Sequence, residues 1–504
     1  MIAWIVSLAA AATLFTGWWY PGSTLCAALG WSSLPLFYVA LSIPRRRITR
    51  LFVSGIATYI GGFYWLFSTI SDFGGFPTLA ALGIFSLFAV GSAVQFIVWA
   101  FCWQHLPAWC GRWGLRTSLS WLVAHHFWIK IFPWDFGHTQ LGFSQFAQLA
   151  GVTGVAGITS LMMWVVESLC ARRTTNRAAR ALSVASLVCA LGYGMWIEET
   201  LYHTAPSPSR SLQTVLIQGN VSLQRKHDVT YFTVNREQYL KTSQLVSAKD
   251  TLIVWPESTI TDFIPASVTN AYEAPVLPHL GDGSAFLVGG LTYRSKKEYY
   301  NSSILVRPDG SVAEPYNKMI LMPFGEYTPF ASSLPWLAEI NATAGQFTPG
   351  SGPAVLSFSL SDGRQARVAP LICYEDIVPE LAREATRRGA ELLVNQTNDA
   401  WFGDTIAPYQ HHMIAAFRAI ENRRYLLRST NTGLTAVVDP LGRTLASLLP
   451  YTESVLPMEV GLLSYASTYT QLPISLMWLA LAAITAFVVC ARLARSSFQR
   501  QKTL

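Results

Sequence analysis

Eight apolar runs, separated by short arginine clusters, constrain this chain more than any other feature. They are 2–17, 21–42, 51–70, 78–104, 117–134, 148–170, 181–197 and 473–493. A helix needs about 20 apolar residues to cross about 30 Å of hydrocarbon, so each run reads as a candidate span. The second is interrupted by Gly30 and Ser32-Ser33, and the fifth carries His125, His126 and Lys130. Composition agrees: 13% of the residues are charged and 51% hydrophobic, whereas soluble proteins carry about 25% charged residues. The first run leads into more apolar sequence and shows no small-residue cleavage site, so a removed signal peptide is not expected.

The basic residues give an orientation. Arg45, Arg46, Arg47 and Arg50 lie between runs two and three, and Arg112 and Arg116 between four and five. Arg172, Arg173, Arg177 and Arg180 lie between six and seven, and Arg492, Arg495, Arg500 and Lys502 close the eighth. The alternate loops carry Asp72, Asp135, Glu198 and Glu199, with no lysine or arginine. Positive loops stay in the cytoplasm, which places both termini there and residues 200–470 in the periplasm of a bacterial inner membrane. The net charge of +7 is then a topology signal, and nucleic acid is not an expected partner. The chain thus divides into three regions: helices in 1–199, a periplasmic domain in 200–470, and an eighth helix with a cytoplasmic tail in 471–504.

The middle region differs in kind. Short β-type runs recur at 212–218, 251–255, 285–292, 302–307, 367–373, 391–395, 425–430 and 434–439, and helical patterns at 230–247, 378–388 and 408–424. Strands alternating with helices predict a layered α/β domain. Residues 205–209, Ala-Pro-Ser-Pro-Ser, read as the linker into it. Of seven cysteines only Cys373 falls in this region, so it has no disulfide partner there, and no zinc-type spacing occurs. No metal or other cofactor is expected.

Three stretches end in reactive groups. The run 368–372 stops at Cys373-Tyr374-Glu375-Asp376. A cysteine at a strand end, near the positive end of a following helix, can have its pKa lowered from about 8.5. The run 252–255 stops at Pro256 and presents Glu257, whose partial desolvation would make it a better base. Lys318 lies in the nearly uncharged segment 316–325, followed by Glu326. A thiol needs a base, and the charge that develops when it attacks a carbonyl needs a cation. Glu257, Lys318 and Cys373 therefore form a complete set for acyl transfer. Each residue taken singly also has an ordinary reading: a turn glutamate, a snorkelling lysine, a buried inert cysteine.

Glu257, Lys318 and Cys373, in that order, resemble the Glu-Lys-Cys triad of the nitrilase (carbon–nitrogen hydrolase) superfamily. The flanking stretches Gln218-Gly219-Asn220, Trp255-Pro256-Glu257, Lys318 to Tyr327, Cys373-Tyr374-Glu375 and Asn398 to Gly403 resemble the apolipoprotein N-acyltransferase family. One departure is His227, where that family's pattern has tryptophan. The resemblance implies a nitrilase-like αββα sandwich set between the seventh and eighth of about eight spans. It implies transfer of a fatty acyl chain from a phospholipid, phosphatidylethanolamine at its sn-1 position, through a Cys373 thioester. The acceptor is the α-amine of an S-diacylglyceryl-cysteine at a lipoprotein's N-terminus. Glu257 is then the general base, Lys318 the oxyanion cation and Glu326 an additional carboxylate, while Tyr374 and Glu375 flank the nucleophile. A monomer is implied.

Apolar residues near these motifs, Phe330, Pro335-Trp336-Leu337 and Trp401-Phe402, could cover acyl chains or sit in the core. Two rival classes share some of the features. A membrane-tethered amidohydrolase would use the same triad with water as the acceptor, but eight spans exceed what a tether needs. A transporter would carry paired charges in mid-span, and these runs are almost free of them.

Overall fold

The computed structural model describes residues 1–202, 210–323, 325–327, 333 and 347–501. The linker at 205–209, Phe330, Pro335-Trp336-Leu337 and the side chain of His227 lie outside the described residues. The chain folds as two units, one made of Met1–Tyr202, Thr405–Phe417 and Ser467–Leu504, the other of His203–Asp404 and Arg418–Ala466.

The first unit is helical. Thr24–Ser42, Thr78–His105, Ala150–Cys170, Arg177–Leu201 and Ile474–Ala494 are long and apolar enough to cross a membrane. Arg47–Gly62 and Trp65–Phe73 make a sixth candidate, bent by 63° at the break between them. Ile2–Trp18 is apolar but shorter, at 17 residues. The run at 117–134 does not form one helix: it is helical as Arg116–Phe127 and then irregular. The cause is its polar content. Lys130 Nζ meets His125 Nδ1 at 2.9 Å, and His125 lies 3.4 Å from Asp135, whose carboxylate also accepts the Trp121 indole N–H at 2.9 Å. Polar groups in an apolar setting need such partners, and the chain turns back to supply them.

The second unit is built on two sheets. Its strands are β1 Ser211–Gln218, β2 Thr251–Val254, β3 Ile260–Pro265, β4 Ala285–Ser295, β5 Glu298–Val306, β6 Tyr316–Asn317, β7 Leu356–Ser359, β8 Gln365–Ile372, β9 Leu392–Thr397, β10 Tyr425–Thr430, β11 Ala436–Val438, β12 Thr444–Ser447 and β13 Ser454–Gly461. One sheet runs β13-β1-β2-β4-β5-β6 with β3 on β4, and the other β12-β11-β10-β9-β8-β7. Their centres are parallel: β1, β2 and β4 in one, β8, β9 and β10 in the other.

Strand alternation sends one set of side chains between the sheets. Leu216, Val254, Leu287 and Leu305 from the first sheet share a core with Val368, Val394, Leu427 and Val437 from the second. The opposite face of the first sheet, with Val215, Ile253 and Phe286, packs with Tyr239 of the helix Phe232–Val246. The helix Pro379–Arg387 comes after β8 and buries Leu381, Ala382 and Ala385. Two sheets face to face with helices outside them give the four-layered α/β sandwich predicted from the sequence. Gln396 on β9 bonds across the sandwich, donating to the carbonyls of Trp255 at 2.7 Å and Leu287 at 3.1 Å.

Candidate active site

The carboxyl ends of the parallel strands are where open α/β sheets present reactive groups. Glu257 lies just beyond β2 and Cys373 just beyond β8, while Lys318 succeeds the short antiparallel β6. Two of these corners are turned in the left-handed region: φ is 47° at Ser258, next to Glu257, and 51° at Cys373 itself. A non-glycine residue there is strained, and such strain gathers at functional sites. The corner at Glu257 also needs Gly289 beside it on β4. A Cβ at that position would come within 2.2 Å of the Pro256 carbonyl oxygen and 2.7 Å of Glu257 Cα.

Lys318 is buried, at 1% exposure, and its ammonium spans two carboxylates. Nζ lies 2.8 Å from Glu326 Oε2 and 3.3 Å from Glu257 Oε1. Asn301 on β5 closes the ring, donating from Nδ2 to Glu257 Oε1 at 2.8 Å and to Glu326 Oε1 at 2.9 Å. Glu326 also accepts the Met322 N–H at 2.9 Å. Burial would push the Lys318 ammonium toward deprotonation, but Glu326 and Glu257 outweigh it and hold its pKa well above the ordinary lysine value. Lys318 is therefore a fixed cation.

Cys373 belongs to the same electrostatic group. Its thiol pKa is raised, first by burial and then by the negative charge of Glu257, with Lys318 and the Thr397 hydroxyl opposing. The lowered thiol pKa expected from the sequence is thus overturned. Cys373 opens the 3-10 turn Cys373–Ile377, which contains Glu375 and Asp376, and the α-helix begins only at Pro379. The helix starts within one residue of the position expected for it, and the intervening turn, with its buried carboxylates Glu375 and Asp376, separates it from the thiol. A thiol whose pKa is raised in this way needs a base to become a thiolate.

Glu375 is fully buried and acts as a brace. It accepts from Ile372 N at 2.7 Å, Met319 N at 2.6 Å, Ile320 N at 3.2 Å and the Tyr316 hydroxyl at 2.8 Å. One carboxylate thus pins the segment after Lys318 to the strand that carries Cys373. Burial raises its pKa to about 7, against the Ile372 N–H, the Lys318 charge and the Met319 N–H. Four donors around it favour the ionised form. Asn395 on β9 donates to the Cys373 carbonyl at 3.0 Å. Arg428 on β10, fully buried, pairs with Asp376 and lies 3.9 Å from Asp399. Tyr374 is half-buried beside Cys373, and Trp401 is 39% exposed on the 3-10 turn Asp399–Phe402.

Two residues of the cluster escaped the sequence reading. Asn301 precedes the 302–307 run and is one of three consecutive buried polar residues of β5, with Ser302 and Ser303, so nothing set it apart. Lys226 was passed over for its neighbour His227. Its Nζ donates to the Glu257 carbonyl at 2.9 Å. Burial lowers its pKa to about 8, opposed by Glu257 and Cys373, with Lys318 lowering it further. Among the described residues no group of three or more His, Cys, Asp and Glu could hold a metal ion.

A partly buried thiol electrostatically coupled to a carboxylate and a fixed ammonium is chemistry for acyl transfer. Comparison with known proteins agrees with it. Residues 232–469 match the carbon-nitrogen hydrolase family, and residues 11–167 match the apolipoprotein N-acyltransferase N-terminal domain. An apolipoprotein N-acyltransferase of Geobacter metallireducens is 30% identical, the match covering 91% of this chain and 89% of that one. The chain belongs to the apolipoprotein N-acyltransferase family. Another member, from Pseudomonas putida, is 28% identical over 90% of this chain and 93% of its own length. Among solved structures, an amidase from Nesterenkonia sp. aligns with 54% of this chain and 97% of its own, at 20% identity and a TM-score of 0.37. As a member of the apolipoprotein N-acyltransferase family, the chain is a membrane protein and an acyltransferase.

Proposed function

We propose that this protein transfers a fatty acyl chain from a phospholipid to the N-terminal amine of S-diacylglyceryl-cysteine in apolipoproteins, through a thioester on Cys373. Glu257 takes the thiol proton as sulfur attacks the ester carbonyl. Lys318 stabilises the oxyanion of the tetrahedral intermediate, a contribution worth about 10²–10³ in rate where single donors have been removed elsewhere. Collapse expels the lysophospholipid oxygen, which takes the proton from Glu257 and leaves the thioester. The acceptor amine then attacks the thioester carbon, and the Cys373 sulfur departs and is reprotonated. Glu326 shares Lys318 with Glu257, Glu375 fixes the chain after Lys318, and Tyr374 and Trp401 are substrate-facing candidates. The donor is phosphatidylethanolamine at its sn-1 position.

The observation that carries this reading is the ion-pair ring of Glu257, Lys318 and Glu326, coupled to the Cys373 thiol. Residues 200–470 form the catalytic domain, on the periplasmic face of the bacterial inner membrane, between helical segments 1–199 and 471–504. The alternation of arginine-rich and arginine-free loops supports that orientation. The protein acts as a monomer.

The test incubates purified full-length protein with phosphatidylethanolamine and weighs the Cys373 peptide. A gain of one fatty acyl group is expected, absent in Cys373→Ala. No adduct, with ammonia released from small amides instead, would make the protein an amidohydrolase.

A further inference from the structure

The two half-reactions differ in their proton balance. Thiol and ester give thioester and alcohol, with no proton left over. The acceptor's α-amine, with an ordinary pKa of about 7.7–8.0, arrives at neutral pH largely as an ammonium. Of its three protons the amide keeps one and the departing Cys373 sulfur takes one. The third must leave a site that is closed around Glu257 and Lys318, at 7% and 1% exposure.

Lys318 cannot carry it, because two carboxylates hold its proton. Lys226 is placed differently. Its ammonium bonds the main-chain carbonyl of Glu257 at 2.9 Å, and no carboxylate ion pair to it occurs among the described residues. It lines a cavity of about 10 Å³ together with Glu257, Ser258, Asn235, Tyr239 and Asn431. That volume is about one water molecule, and its walls offer the polar partners a water needs. The charged and titratable groups that face Lys226 are Glu257 after β2, Lys318 after β6, Cys373 after β8 and Tyr239 from the helix Phe232–Val246.

We propose that Lys226 is the proton-exit group of the second half-reaction, passing the surplus proton of the acceptor ammonium from Glu257 to water. The Lys226 ammonium releases a proton to solvent through a water held in the cavity. The neutral amine then accepts, by way of that water, the proton that Glu257 took from the acceptor, because its Nζ meets the Glu257 main chain and not its carboxylate. Both side chains end as they began, and one proton has left. Burial and Lys318 bring the Lys226 pKa to about 8, which makes the release feasible near neutrality. The entering ammonium adds a further positive charge that promotes it.

This rests on the thioester reading, and the experiment separates the two. Full-length protein in detergent micelles is loaded with phosphatidylethanolamine, and thioester formation is followed by mass. A diacylglyceryl-cysteine peptide is then added and thioester loss is timed from pH 7 to 9. If wild-type protein never loads, the thioester reading fails. Given loading, Lys226→Met is expected to slow aminolysis at least about tenfold more than acylation at pH 7. The excess defect should shrink toward pH 9, where the acceptor enters as a neutral amine and no surplus proton exists. Lys226→Arg keeps the charge and the carbonyl bond but cannot release a proton, so it too should slow aminolysis at least about tenfold more than acylation. Equal slowing of both half-reactions, a defect independent of pH, or wild-type aminolysis in Lys226→Arg would overturn the proposal. Should Lys226→Met fail to fold, the arginine variant decides alone.

Discussion

Asn301 donates to Glu257 Oε1 across 2.8 Å, and its amide cannot be turned over, because Nδ2 faces carboxylate oxygens of both Glu257 and Glu326, which only accept. Lys318 reaches the same Glu257 oxygen. One oxygen of Glu257 is therefore held by two donors, which under the proposed mechanism leaves proton transfer to the other.

Asn301→Asp tests this arrangement at constant shape. The substitution removes the amide donor and sets a third carboxyl against Glu257 and Glu326. A third carboxyl in that cluster favours uptake of a proton by the cluster. Acyl transfer should fall by about 10²-fold or more, within the range general-base catalysis supplies. The acidic limb of the rate–pH profile should move to higher pH. An unshifted limb would show that Asn301 only packs β5 against its neighbours.

Much of this was legible in the sequence. The β2 and β8 runs were visible because central parallel strands are buried on both faces and read as unbroken apolar stretches. Strands β3, β7, β12 and β13 were not, since they are edge or off-path strands with mixed polarity, and β6 has only two residues. Glu257 and Cys373 stood out because they end those apolar runs, and Lys318 because it is the lone charge in a nearly uncharged segment. Asn301 and Lys226 did not, because one sits within a strand and the other in a short helix, and only the fold brings them to Glu257. The broken helix at 117–134 came from pairing among His125, Lys130 and Asp135, which periodicity does not register.

Lys318 couples activity to stability. Lys318→Met leaves Glu257 and Glu326 buried without their cation, a loss of about 3–5 kcal/mol for a broken buried pair. Thermal unfolding in detergent should show a large fall in midpoint. Adding Glu326→Gln removes one of the stranded charges and should recover part of the stability but none of the acyl transfer. Stability unchanged in the single variant would argue against the buried ring.

The state of the Cys373 thiol can be read by alkylation. Burial and Glu257 raise its pKa, so the thiolate fraction at pH 7 lies below that of a free thiol and grows only as pH climbs above about 8.5, the ordinary thiol value. Iodoacetamide should therefore react more slowly with Cys373 than with free cysteine at pH 7–8. Lys318→Met removes the opposing charge and should slow it further. Reaction at pH 7 faster than free cysteine would mean a thiolate at rest.

Glu375→Gln probes the brace. Glutamine presents N–H donors where the carboxylate met only donors: three main-chain N–H groups and the Tyr316 hydroxyl. At least one of those buried donors loses its acceptor, at about 1–3 kcal/mol. The segment after Lys318 is then no longer pinned to β8, so acyl transfer should drop together with the unfolding midpoint. Full activity would show that Lys318 is positioned by Glu326 and Asn301 alone.

The strained backbone at Cys373 predicts that the proposed nucleophile is held in place at the expense of stability. With φ at 51°, a side chain with Cβ costs about 1–2 kcal/mol that glycine escapes. Cys373→Ala and Cys373→Gly should both be inactive, yet glycine, against its usual effect within regular structure, should be the more stable of the two. A β-branched residue crowds that conformation further, so Cys373→Val should fall below alanine. Unfolding midpoints in the order Gly, Ala, Val would establish that the turn is imposed by its surroundings: the Glu375 brace, the Asn395 bond to the Cys373 carbonyl and the Arg428–Asp376 pair. The reverse order would mean that the backbone relaxes once the thiol is gone, and that the thiol's own contacts hold the strain.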